Sequence, residues 1–305
     1  MVATLPGQIN WKSMSDEEDL KPFRSSTILL TLHKFTMDQA VPKITREGNS
    51  REGFFQSIEY KGWRIISKKA AICNSAEMDS IQTDIGIPPP EMVFGNSEVL
   101  LKNEDFELSF KAYDALRMVD TSSNSSEHIK VAYADDWSRK SAANHTDVKD
   151  VIKPYDWTYS TEYQGTCAAS FTAAEEPKID IERLKKPEPI LFYDENILYE
   201  DELADNGTAM LSIRLRVMPS CFLVLQRFFL RVDDVLFRIN DTRIYHEFGT
   251  SYVVREYTSK EAPYQYIRKI MGHGDVSLLN DANWIGSKLP EPPQTFVREH
   301  VRLKR

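Results

Sequence analysis

Cysteine is scarce in this chain: Cys73, Cys167 and Cys221 stand far apart and form no Cys-x-x-Cys pair. That spacing excludes a zinc ribbon or redox dithiol and predicts buried, reduced thiols. Positive charge is in deficit. With 38 Lys and Arg against 46 Asp and Glu, the formal net charge of −8 repels phosphate backbones and predicts no nucleic-acid partner. A long apolar run is missing too. The most apolar stretch, Cys221–Leu230, is interrupted by Gln226 and Arg227 and is shorter than the roughly 20 residues that span a bilayer. It predicts a core strand and no membrane anchor. Met1–Asn10 has no basic segment followed by an apolar run, and Asp16, Glu17, Glu18 and Asp19 come next. The expectation is a protein without a signal peptide, located in the cytoplasm and extending to the nucleus.

Catalytic signatures are equally thin. There is no glycine-rich phosphate loop, G-x-S-x-G elbow or H-E-x-x-H helix. The histidines His33, His128, His145, His246, His273 and His300 are scattered, so a metal site would need distant segments to converge. The strongest enzyme-like cluster is Asn240-Asp241-Thr242-Arg243 with His246 and Glu247, because a carboxylate beside an imidazole can do acid–base work. A hairpin corner explains the same residues: Asn-Asp forms turns and Arg243 neutralises the carboxylate. The expectation is therefore no enzyme and no cofactor. A metal-dependent hydrolase using Asp241, His246 and Glu202 is the catalytic alternative.

What is present is alternation. Between Met210 and Tyr257, Leu211, Ile213, Leu215 and Val217 alternate with Ser212, Arg214 and Arg216, one face buried and the other wet. Phe222–Leu230 is apolar almost throughout, as a strand covered on both sides would be. Turns are predicted at Asp233-Asp234, Asn240-Asp241 and Gly249. Upstream, Gly62–Ile66 reads as a first strand, and Asn74-Ser75 caps a helix over Ala76–Ile85 that Pro88-Pro89-Pro90 forbids from continuing. Val99–Leu101 and Phe106–Phe110 form a hairpin, Ile129–Tyr133 another strand, and Ile181–Lys186 a short helix with Asp180 at its positive end. Polar loops fill 121–128 and 138–150. The fold predicted is mainly β within the α+β class: packed antiparallel β-sheets with a few short peripheral helices. Its organisation is a loosely ordered extension over 1–57, a single β-rich domain over 58–285 and a tail over 286–305.

Two polar clusters stand out as binding candidates. Glu200-Asp201-Glu202 with Asp205 is either a solvated acidic loop or a site for a hard cation or a basic protein surface. Lys153-Pro154-Tyr155-Asp156-Trp157-Thr158-Tyr159, followed by Tyr163, has the aromatic density of a binding hot spot; an amphipathic strand accounts for it equally. A β-rich peptide- or carbohydrate-binding module using these rings is a further alternative.

Several segments together resemble the TIP-forty-one-like family (TIPRL) of TOR signalling pathway regulators. They are Pro90–Gly95, Asp114-Ala115-Leu116-Arg117, Val151–Thr166, Leu198–Gly207, Ile213–Glu247 and Arg255–Ser259, in family order over residues 62–261. Within them, R-V-M-P-S, R-F-F-L-R and N-D-T-R-x-Y-H-E are highly specific. The resemblance implies a non-enzymatic regulator that binds catalytic subunits of type 2A and related protein phosphatases, generally inhibiting them, alongside the alpha-four regulatory protein. It also implies contact positions at Asp114 and Asp241, with Ile179 and Ile239 at equivalent places. Added to the aromatic reading, this makes Asp114, Tyr155, Asp156, Trp157, Tyr159, Ile179, Ile239, Asp241 and Arg243 the candidate partner-binding set. Tyr155–Tyr163 and the corner around Asp241 are expected to share one face, with rings supplying affinity and carboxylates orientation.

Overall fold

Period-two alternation needs two partners for every strand, one beside it and one beneath it, and the chain supplies both by folding into two antiparallel sheets. The computed structural model describes residues 40–49, 53–119, 121 and 157–304. It opens with β1 (Lys43–Asn49), β2 (Gly53–Tyr60) and β3 (Trp63–Lys69), then α1 (Ser75–Ile85). The short strand β4 (Met92–Val93) precedes a hairpin of β5 (Glu98–Lys102) and β6 (Glu107–Lys111), which runs straight into α2 (Ala112–Leu116). After β7 (Thr166–Cys167), β8 (Thr172–Ala173) and α3 (Ile181–Leu184) comes the long meander β9 (Phe192–Asp201), β10 (Gly207–Val217), β11 (Cys221–Val232), β12 (Leu236–Glu247) and β13 (Tyr252–Pro263). Helix α4 (Tyr264–Met271), a 3-10 turn (Val276–Asn280), α5 (Ala282–Lys288) and β14 (Thr295–Arg302) complete it.

Strand order is β1-β2-β3-β5-β6-β7 in the smaller sheet and β4-β9-β10-β11-β12-β13-β14-β8 in the larger. The main core lies between them: Ile58, Ile65, Leu101, Leu108 and Phe110 meet Leu211, Ile213, Leu215, Phe222, Phe228 and Ile244. The opposite, outer face of the large sheet is covered at two places. Phe229, Phe237 and Ile239 are capped by Ile267, Leu279, Ile285 and Leu289 from the helical segment. Leu223, Tyr245 and Val254 are capped by Ile179, with Leu184 of α3 packed alongside. Double coverage explains why Phe222–Leu230 shows no polar face.

Local chemistry sets the ends of the helices. Asn74 accepts from the Glu77 amide while the Glu77 carboxylate accepts from the Asn74 amide, a complete capping box for α1, and Gly86 ends it in the left-handed region. Asp180 caps α3. Among the described residues no helix is long and apolar enough to cross a membrane.

The structure corrects several boundaries. Strands β1 and β2 pair antiparallel over Lys43–Asn49 and Gly53–Glu59, and β2 pairs with β3, so the sheet begins before residue 58. Strand β1 is exposed at the sheet edge and therefore carries no apolar period, which hid it. Residues 295–302 are not a tail: β14 pairs with β13 from Ser259↔Thr295 to Tyr252↔Arg302. Asn240-Asp241 is not a turn but the middle of β12, registered against Phe228 and Arg227 of β11. Of the three free thiols only Cys221 is buried; Cys73 and Cys167 are half-buried. The strand expected at Ile129–Tyr133 and the loop over 138–150 lie outside the described residues, as do Tyr155 and Asp156 and, except for Thr121, the loop over 121–128.

Candidate partner-binding surface

Alternation along β12 decides what its polar residues can do. Ile244 packs into the intersheet core, so even positions face inward; Phe237, Ile239 and Tyr245 pack outward, and so does Asp241. His246 faces inward, with its ring 4.8 Å from Trp63 and 5.5 Å from Phe222. Its Nδ1 donates to the Tyr252 carbonyl at 2.8 Å. Asp241 and His246 thus lie on opposite faces of one strand and do not converge, which removes the geometry the hydrolase alternative needs. Among the described residues no group of three or more His, Cys, Asp and Glu is arranged to hold a metal ion.

Burial pushes the His246 pKa below its ordinary 6.5. An unfolded chain therefore takes up the proton first, and stability falls as pH drops from about 6.5 toward the folded value. His246→Phe keeps the ring packing but leaves the Tyr252 carbonyl unpaired. Thermal melts should show the variant less stable than wild type at pH 7.5, with the gap narrowing by pH 5.5; a gap independent of pH removes His246 as the titrating group.

The described part of the aromatic segment, from Trp157 onward, is not a surface. Trp157 is 3% exposed, and Tyr159 and Tyr163 are also buried in the intersheet core. An irregular buried segment must find partners for its peptide groups, and side chains from the sheets supply them. Tyr199 Oη donates to the Tyr159 carbonyl at 2.9 Å, Asn240 Nδ2 to the Thr161 carbonyl at 3.1 Å and Gln226 Nε2 to the Tyr163 carbonyl. Tyr159 Oη reaches back to the Pro88 and Pro89 carbonyls at 3.2 and 3.3 Å. Gly165 lets the segment press onto β6: a Cβ there would lie 2.8 Å from both Leu108 Cδ1 and Phe110 Cε1, with φ at +90°. Asn240 holds this segment on the inner face while Asp241 points outward, so the rings and Asp241 do not share a face.

The buried Ala112, Ala115 and Leu116 fix α2 against the core and leave the Asp114 side chain 26% exposed. It accepts from Thr166 Oγ1 at 2.6 Å, and Thr166 Oγ1 lies 3.0 Å from the hydroxyl of Tyr163. Burial pushes that tyrosine up to about 12. Arg117 of the same motif turns to Asp84, its Nε donating at 3.1 Å.

Asp241 itself is 5% exposed. Arg227 grips it with two parallel bonds, Nε to Oδ1 at 2.7 Å and Nη2 to Oδ2 at 2.8 Å. Burial opposes its ionisation, but the Arg227 charge and hydrogen bonds, with Arg243 and Lys260 adding, hold the carboxyl below its ordinary range. Arg243, expected as its neutraliser, stands 3.7 Å away and is 39% exposed. Ile179 and Ile239 are buried under or beside the outer covers. Of the candidate set that is described, Asp114 and Arg243 alone offer substantial accessible surface. Arg227 was missed by the sequence reading, although a charge inside an apolar run is itself a signal, since a buried guanidinium requires a paired carboxylate. In the acidic run, Glu200 and Asp201 end β9, and Asp201 accepts from the Glu91 amide at 3.0 Å and the Leu203 amide at 2.6 Å.

The described residues assemble a sandwich of two antiparallel sheets whose larger sheet carries the Arg227–Asp241 pair on its outer side. The chain belongs to the TIP41-like family, which it matches over residues 92–268. It is 42% identical over 251 residues to the TIP41-like protein of Dictyostelium discoideum, covering 76% of this chain and 88% of that protein. To the human TIP41-like protein it is 42% identical over 235 residues, or 75% and 83%. To the type 2A phosphatase activator TIP41 of Saccharomyces cerevisiae it is 40% identical over 258 residues, or 77% and 72%.

Proposed function

We propose that this chain binds the catalytic subunit of type 2A serine/threonine phosphatases and regulates it, without chemistry of its own. The observation that carries the reading is the similarity to a relative named as a type 2A phosphatase activator, spread over three quarters of the chain. Asp114, Arg243 and the outer face of the large sheet supply the binding surface. The alpha-four protein joins through the phosphatase, and the complex acts in the cytoplasm downstream of TOR kinase. The resemblance implied inhibition, whereas the relative's name speaks for activation; one titration reads both binding and sign. Adding the purified full chain to a purified type 2A catalytic subunit should change phosphopeptide turnover saturably, with a stoichiometric complex by gel filtration. No complex at micromolar concentrations of both proteins refutes the reading.

A further inference from the structure

Two candidate contact residues, Ile239 and Asp241, are linked to the same helix: Ile239 packs against it, and Asp241 holds the arginine, Arg227, that bonds it. Ile239 packs with Ile285 and Leu289 in the outer core, and a Cβ on Gly286 would sit 3.4 Å from Ile239 Cδ1 and 3.9 Å from Arg227 Nη2. The helix backbone therefore comes close to the Ile239 and Arg227 side chains. Arg227 spends two nitrogens on Asp241 and the third on the helix: Nη1 donates to the Ala282 carbonyl at 3.2 Å and to Asn283 Oδ1 at 3.0 Å. Arg214 donates to the same Asn283 oxygen at 3.3 Å while Glu195 holds its Nε at 2.8 Å. At α5's start, Asp281 accepts from the Asn283 and Trp284 amides at 2.9 and 3.1 Å. With seven residues the helix is too short to hold its place by propensity, so these contacts seat it.

We propose that Asp241 and Ile239 are positioning residues that seat α5. Asp241 acts through Arg227, Ile239 by apolar contact, and the phosphatase meets the seated helix around Asn283, Trp284 and Lys288 with Arg214 and Arg243 beside it. A guanidinium fork whose aim is fixed by a buried carboxylate delivers its third nitrogen to one place only, so the carboxylate sets the helix position without touching the partner. This inference rests on the phosphatase-binding reading above and deepens it.

The test uses the full chain as wild type, Asp241→Asn, Asn283→Ala, the double variant and Lys288→Glu. Two readouts are taken: amide hydrogen exchange over residues 276–289 in the free protein, and association and dissociation rates with the purified type 2A catalytic subunit at several salt concentrations. Asn283→Ala cuts the seat without altering Asp241, so it remains informative where Asp241→Asn folds poorly. Expected are faster exchange over 276–289 in both single variants and dissociation about fivefold faster or more for each. The double variant should be no worse than Asp241→Asn, the non-additivity of one coupled unit. Lys288→Glu should weaken binding with exchange unchanged. Wild-type affinity in Asn283→Ala, together with a weakened, salt-sensitive on-rate in Asp241→Asn, makes Asp241 a direct contact and overturns the proposal. A wild type that binds no phosphatase refutes the functional reading instead, and exchange alone then decides the seat: unchanged protection in Asp241→Asn overturns it.

Discussion

Trp157→Ala should lower the stability of the free protein by about 3–5 kcal/mol, the cost of emptying a large aromatic site in a closed core. For a domain of this size that is a fall in Tm of roughly 10 °C or more. The ring is buried between the sheets, in a segment whose carbonyls are met by Tyr199, Asn240 and Gln226, so the vacated volume has no solvent-side collapse to fill it. A ring that served as an exposed anchor would behave oppositely: its alanine variant would melt with wild type and lose only the partner. Calorimetry of the free protein beside a phosphatase pull-down separates the two. A Tm within a degree of wild type together with lost binding returns Trp157 to the interface.

The reason the aromatic segment misled is physical. Rings beside polar groups occur both where a pocket awaits a partner and where an irregular strand-like segment plugs a sandwich, and composition is the same in each. The discriminating facts are tertiary: Gly165 pressing on Leu108 and Phe110, and sheet side chains donating to the segment's carbonyls. The meander from β10 to β13 was legible because period two is written directly into Leu211–Val217, and its double coverage into Phe222–Leu230. The edge strands were not. Strand β1 buries none of Lys43–Gly48 fully, and β14 buries only Val301 fully, so neither needs an apolar face and pairing alone makes them strands. Asn240-Asp241 illustrates the same limit: a dipeptide with turn chemistry was overruled by register, because Asn240 and Asp241 each find partners on opposite faces of a twelve-residue strand.

Asp241→Asn should cost about 3–5 kcal/mol in denaturant unfolding, because it strands a guanidinium that is nearly enclosed. Removing both charges with Asp241→Leu and Arg227→Met should restore much of that loss, since two apolar side chains carry no desolvation debt. The sign of the pH dependence follows from the depressed carboxyl. Its ordinary value is 3.8 and the folded value lies lower, so the pair's contribution is complete above pH 3.8 and fades as pH falls toward the folded value. The stability gap between wild type and Asp241→Asn should therefore be flat from pH 7 to 5 and shrink below 4. A gap already shrinking at pH 6 assigns the effect to another group. The double apolar variant adds the functional half of the argument. It regains the core but not the bonds from Arg227 Nη1 to Ala282 and Asn283, so it should fold yet bind the catalytic subunit no better than Asp241→Asn. Stability and binding then part company at one residue pair, which separates an ion pair that merely fills the interior from one that aims a helix.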